Sequence, residues 1–99
     1  DKLIKLLHEG NYSCVIKNKE ISTFTQRGIT DLYDLLNTDR FFGGAQIADK
    51  VIGKAAAVLM VLGRVQEVYT DIISEPALVL LRRANIKARL YAGSSSYSE

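Results

Sequence analysis

"GGAQIADKVIGKAAAVLMVLG", residues 43–63, decides how the rest of the chain is read. Paired glycines lead into a short acidic and basic cluster, and the cluster leads into a long apolar run. A P-loop needs Gly, four residues, then Gly-Lys-Ser/Thr, so that amides wrap phosphate and the hydroxyl holds magnesium. Here Gly53 and Lys54 are followed by Ala55, and Ala48 stands where the first glycine is required. A dinucleotide fingerprint fails too, because the glycines at 43, 44 and 53 lack its spacing and no earlier strand delivers the loop. What survives is a short strand near 45–47 and then a helix starting near Ala48 or Asp49. Such a helix carries Lys50, Gly53 and Lys54 on one face, two cations around a bare backbone patch. Open amides at its start add positive potential and make an anion site there. The same residues have a structural reading, in which Asp49 caps the helix, the lysines are solvated and Gly53 allows close packing. Residues 51–62 leave almost no polar face, which predicts a central helix covered on nearly all sides.

The composition fits one domain around that helix. Ninety-nine residues support a single core, expected over 1–92, with a flexible tail at 93–99. Apolar residues at 47%, charged residues at 24% and a mean hydropathy of +0.04 are globular values. The 13 basic and 11 acidic residues are scattered without dense Lys/Arg blocks, so nucleic acid is not expected as a partner. The apolar run at 55–62 is far shorter than the ~20 residues that cross a bilayer, and no signal sequence opens the chain. A cytoplasmic protein without membrane contact is expected. Cys14 is the only cysteine and His8 the only histidine. A zinc site takes three or four ligands, usually Cys or His, so neither metal nor cofactor is expected.

Around the opening stretch the elements read as follows. "KLIKLLHE", 2–9, places Leu3, Ile4, Leu6 and Leu7 on one helical stripe and stops at Gly10, with His8 as a surface histidine near the helix end. "YSCVIKNKEISTF", 12–24, alternates as a hairpin turning at Lys17, Asn18 and Lys19, with Cys14 a buried, inert thiol. "TDLYDLLN", 30–37, has helical spacing behind Thr30 or Asp31, and Phe41 and Phe42 follow as core anchors. "VQEVYTDIIS", 65–74, is a β-branched central strand. "SEPALVLLRRAN", 74–85, opens a helix with Ser74 as cap, Glu75 and Pro76 in the first turn, and Arg82 and Arg83 in the last. "IKARLYA", 86–92, alternates as a last strand. A hairpin followed by βαβ units gives an α/β domain with a mixed sheet and helices on its faces.

The segments "GGAQIADKVIGKAAAVLMVLG", "VQEVYTDIISEPALVLLRRANIKARLY" and the "VIKNKEISTF…RG" hairpin together resemble the small prokaryotic proteins of Domain of Unknown Function 1893. The resemblance runs to about Tyr91. It implies a divergent cytidine-deaminase-like fold, a three-layer α/β/α sandwich around a mixed sheet. Zinc deaminases of that fold gather their metal at two helix starts, one opening with His/Cys-Ala-Glu and the next with Pro-Cys-x-x-Cys. The corresponding starts here are expected at "IADK" and "SEPALVLL". Pro76 remains, but Ala77 and Leu80 occupy the cysteine positions and neither His nor Cys opens the earlier helix. The resemblance therefore implies the fold without the zinc. The family pattern also continues into a segment with a further cysteine, where this chain has "AGSSSYSE".

Such a fold implies that the helix starts at Asp49 and Ser74 meet at one sheet edge. Asp49, Lys50, Lys54, Ser74 and Glu75 then converge, with Gly43 and Gly44 as a rim. Two functions follow as expectations. One is a zinc-free site for a nucleotide or other anionic small molecule, with no catalytic residue assigned. The other is a non-enzymatic regulatory or self-assembly module, acting as a homo-oligomer. Capping and solvated charge account for the same residues structurally.

Overall fold

The computed structural model of the chain describes residues 2–25 and 43–97. Helix α1, Lys2–Glu9, buries Leu3, Ile4 and Leu7 and ends as expected at Gly10, whose amide bonds Leu6 O at 2.9 Å. Strands β1, Cys14–Asn18, and β2, Glu20–Phe24, form the hairpin, with Lys19 at φ 71° making the reversal alone. The expected helix at 30–37 and the anchors Phe41 and Phe42 lie outside the described residues.

The stretch that opened the reading folds differently from the expectation. Residues Gln46–Ile52 are not a helix start but a seven-residue strand, β3. It is central, antiparallel to β1 on one side and parallel to the strand at 67–74 on the other. Ile47, Val51 and Ile52 suit a strand, and two neighbouring ladders satisfy every register position from Gln46 to Asp49, which outweighs local helical spacing. Gly53 is the break, and helix α2 occupies only Lys54–Leu62. It buries Ala56, Ala57, Leu59 and Met60 but leaves Val58 at 39% and Leu62 at 64% exposure, so the helix is covered on one side rather than nearly all round.

The second half follows the expected order. Strand β4, Glu67–Ser74, runs directly into helix α3, Glu75–Arg83. Asn85 at φ 61° turns the chain out of α3, and its amide bonds Arg82 O at 3.0 Å. Strand β5 spans Lys87–Tyr97. Ser95, Ser96 and Tyr97 pair with Ile72, Ile73 and Ser74, so the stretch expected as a flexible tail continues the ladder on the edge of β4.

The result is a mixed α/β architecture, a five-stranded sheet in the order β2-β1-β3-β4-β5 with three helices among the described residues. β1 is antiparallel to β2 and β3, while β3, β4 and β5 run parallel. Two apolar clusters lie against it. Cys14, Ile16, Ile47 and Val68 join Met60 of α2 and Leu81 of α3 in one, whereas Val15, Ala48 and Tyr69 join Leu3, Ile4 and Leu7 of α1 in the other. Alternation along β1, β3 and β4 thus sends neighbouring residues to opposite faces.

Candidate functional site

The alternation breaks once in each of two parallel strands, and the breaks lie side by side. Ile47 and Ile52 of β3 are five apart, yet both enter the α2–α3 cluster, as do Val68 and Ile73 of β4. A strict period of two would put each pair on opposite faces. The β3–β4 register keeps one offset from Gln46–Glu67 to Ile52–Ile73 and skips only the Lys50–Asp71 position, whereas the β4–β5 register shifts between Thr70 and Ile72. Thr70 is fully buried, its hydroxyl 2.9 Å from Ile72 O and 3.3 Å from Lys50 O, so it ties the two irregular segments together.

Just ahead of the break, three polar side chains form a row across three strands. Asp49 is the register partner of Cys14 on one side and Thr70 on the other. Because Lys50 N bonds Ser13 O at 3.2 Å, the adjacent Cys14–Asp49 pair is of the non-hydrogen-bonded kind, with side chains close together. Cys14 is buried and Asp49 half-buried. Burial pushes the Asp49 carboxyl up from 3.8 to about 7, against the opposing pull of the backbone amides of Val51 and Lys50. The Val51 amide is 3.4 Å from its Oδ1. A carboxyl that titrates near neutrality can give or take a proton under ordinary conditions.

Past the break both strands end in helices. Ile52 pairs with Ile73, so Gly53–Lys54 and Ser74–Glu75 open α2 and α3 from adjacent positions. The two starts differ in chemistry. Ser74 is buried and its hydroxyl accepts from the Ala77 amide at 3.3 Å, the cap expected from the sequence, with Glu75 in the first turn. Gly53 holds extended backbone at φ −98° and ψ 180° and supplies no capping side chain.

Of the residues expected to converge, Lys54, Ser74 and Glu75 lie at these neighbouring helix starts, and Asp49 lies three residues before the end of β3. Lys50 does not join them. It is a strand residue, not a helical neighbour of Lys54, and its Nζ reaches Asn11 Oδ1 at 2.9 Å beyond the end of α1. Gly43 and Gly44 are at the far end of the sheet, before β3, where Gly44 at φ 74° bonds Arg64 O at 3.2 Å. They rim no site with Lys54. The comparison of "IADK" with a metal-binding helix start also falls, because those residues are strand.

Several polar residues were not found by sequence reasoning. His8 is no simple surface histidine, since its Nε2 lies 2.8 and 2.7 Å from the two carboxylate oxygens of Asp71, tying the end of α1 to β4. Sixty-three positions separate them, and only the sheet register could have announced the pair. The Cys14–Asp49–Thr70 row was hidden for the same reason. Among the described residues, no group of three or more His, Cys, Asp or Glu is placed to hold a metal ion, and no helix is long and apolar enough to cross a membrane.

Comparison with known proteins places this geometry. Residues 2–93 match the family described as Domain of unknown function (DUF1893). Among solved structures, a DUF1893 family protein from Thermotoga maritima aligns with a TM-score of 0.81 at 20% identity, over 97% of this chain and 64% of that one. The likeness is one of fold, and this chain spans 64% of the length of that structure. No curated protein matches the chain.

Proposed function

The chain belongs to the DUF1893 family, and from that premise we propose that it binds a nucleotide or another anionic small molecule where α2 and α3 begin. On this reading it is a zinc-free, cytoplasmic relative of the cytidine deaminases, a three-layer α/β/α sandwich whose metal-binding helix starts have been put to another use. The sheet order with an antiparallel hairpin on one edge and three parallel strands beyond supports the fold assignment. A single cysteine and a single histidine in the chain support the absence of zinc.

The observation that carries the proposal is the Ile52–Ile73 register, which sets two helix N-termini side by side at the carboxyl ends of parallel strands. Ligands of open α/β sheets bind at such ends, and helix amides favour an anion there. Lys54 supplies a cation at the start whose cap carries no side chain. Asp49, upstream on β3, would supply a proton-transfer group for any chemistry on the ligand.

Thermal-shift measurements against nucleotides and phosphorylated metabolites test the reading. A stabilising ligand whose effect is lost in Lys54→Ala and kept in Lys50→Ala is the expected outcome. Absence of any shift, or one equally sensitive to both substitutions, overturns it.

The regulatory or self-assembly alternative has its own support in the outward apolar side of α2. Val58 and Leu62 lie one turn apart there and remain 39% and 64% exposed. Light scattering of the wild type and Leu62→Lys separates the two. A monomer in both discards the alternative.

A further inference from the structure

The opposite end of the sheet holds a concavity, remote from Lys54. It is an open groove of about 540 Å³ between the first turns of α1 and the β1–β2 hairpin. Lys2, Leu3, Leu6, Lys17, Ile21 and Gln46 line it. Leu3 belongs to the core and Leu6 packs against it, while Ile21 is left 53% exposed on the hairpin wall. An exposed isoleucine facing a partly covered leucine makes an apolar channel that water fills at a cost.

The charges on this channel are of one sign. Lys2 on α1 and Lys17 on β1 are both exposed, and neither forms an ion pair among the described residues. Gln46 of the lining donates Nε2 to the Glu67 carboxylate Oε1 at 3.3 Å. That carboxylate is already matched by Arg89 at 2.6 Å and by the Tyr69 hydroxyl at 2.8 Å. Its charge is answered on its own strands, so the two ammonium groups present a net positive rim around an apolar floor. Two cations are too few to follow a polynucleotide backbone.

We infer that this groove binds a small, free anionic amphiphile, an aliphatic chain with one carboxylate or phosphate head, the head between Lys2 and Lys17 and the chain along Leu6 and Ile21. The volume lies within the range of small-molecule sites, and the arrangement of a few polar groups beside apolar walls is their usual chemistry.

Titration of the full chain with sodium decanoate below its micelle concentration, followed residue by residue by amide NMR, tests the inference. Saturable shifts centred on residues 2–6, 17, 21 and 46 are expected. Decanol and inorganic phosphate, each carrying only half of the chemistry, should bind at least about tenfold more weakly. Lys2→Glu with Lys17→Glu should weaken decanoate by about tenfold or more, as should Ile21→Ser, while Lys54→Ala leaves it unchanged. Decyl phosphate binding with the same residue dependence identifies the head as phosphate-tolerant and supports the site. Decanol binding as tightly as decanoate, phosphate alone doing so, shifts that do not saturate, or binding only to anionic vesicles overturns it. All the substitutions are at exposed positions, and the ligand series on the unaltered chain decides the matter even if a variant fails to fold.

Discussion

Asp49 and Glu67 are acidic side chains on adjacent strands of one sheet, and their surroundings drive them in opposite directions. Glu67, near the start of β4, has the Arg89 guanidinium 2.6 Å away, and that hydrogen bond holds its carboxyl below the ordinary 4.5. The Tyr69 hydroxyl donates to the same carboxylate and has its own proton held more tightly, through burial first and then through Glu67. Asp49, near the end of β3, has backbone amides but no such cation, and burial lifts it to about 7. The difference teaches where chemistry can reside. Glu67 has its charge neutralised and serves architecture, whereas Asp49, three residues before the end of β3, keeps a carboxyl poised near neutral pH.

Neutralising Asp49 breaks this comparison with the largest effect. Between its unfolded value near 3.8 and its folded value of about 7, the native state binds more protons than the unfolded state. Stability therefore falls as pH rises across that window and is level above it. The shift corresponds to a cost on the order of 4 kcal/mol at pH 8. Asp49→Asn removes that cost while keeping an oxygen for the Val51 amide. In urea unfolding the variant should exceed the wild type by up to that amount at pH 8, with the gap closing toward pH 4. Parallel stability curves for the two proteins would show that Asp49 is not poised as described.

The helix starts at the same end offer a second, smaller contrast. Ser74 caps α3 through the Ala77 amide, whereas Gly53 begins α2 with no side-chain bond. Ser74→Ala should cost about 1 kcal/mol, and somewhat more if the buried amide finds no other acceptor. Gly53→Ser should gain only a few tenths, since the extended backbone at Gly53 admits a side chain. If α2 begins a ligand site, the serine also competes with the ligand, so a stability gain with unchanged ligand affinity would detach Gly53 from the site.

Much of the fold was legible because it is local. Leu3, Ile4 and Leu7 repeat as one helical stripe, Lys19 sits between alternating runs, and Ser74-Glu75-Pro76 is a helix start by residue type alone. The exception was "QIADKVI". Its strand character depends on β1 and β4 lying on either side, which no window of the sequence contains, and the apolar run after it lends it false helical spacing. The candidate site suffered accordingly. Ser74 and Glu75 were expected at a helix start and stand at one, whereas Lys54, expected inside a helix begun near Asp49, opens its own helix, and a two-position period on β3 sends Asp49 and Lys50 to opposite faces. Cys14, Thr70 and the His8–Asp71 pair enter only through register.

The last contrast concerns whether the two ends act independently. Glu67 is level with Gln46 in the register, so Asp49 lies three residues further along, about 10 Å at ordinary strand rise. Tyr69, two residues from Glu67, belongs to the α1 cluster, while Cys14, opposite Asp49, belongs to the other. In Arg89→Ala the Glu67 carboxyl should titrate upward toward 4.5, held down by the Tyr69 hydroxyl and the Lys87 charge. Because its folded value is depressed, the stability that Glu67 contributes is present above 4.5 and is lost as pH falls through the folded value. The substitution should therefore flatten the acid limb and leave neutral-pH behaviour nearly untouched, a smaller effect than loss of the Ser74 cap because Arg89 is exposed. Carboxyl-carbon NMR titration reads both acids at once. Movement of Glu67 with Asp49 fixed near 7 is the expected result, and an equal movement of both would mean that one field, rather than two separate environments, sets their protonation.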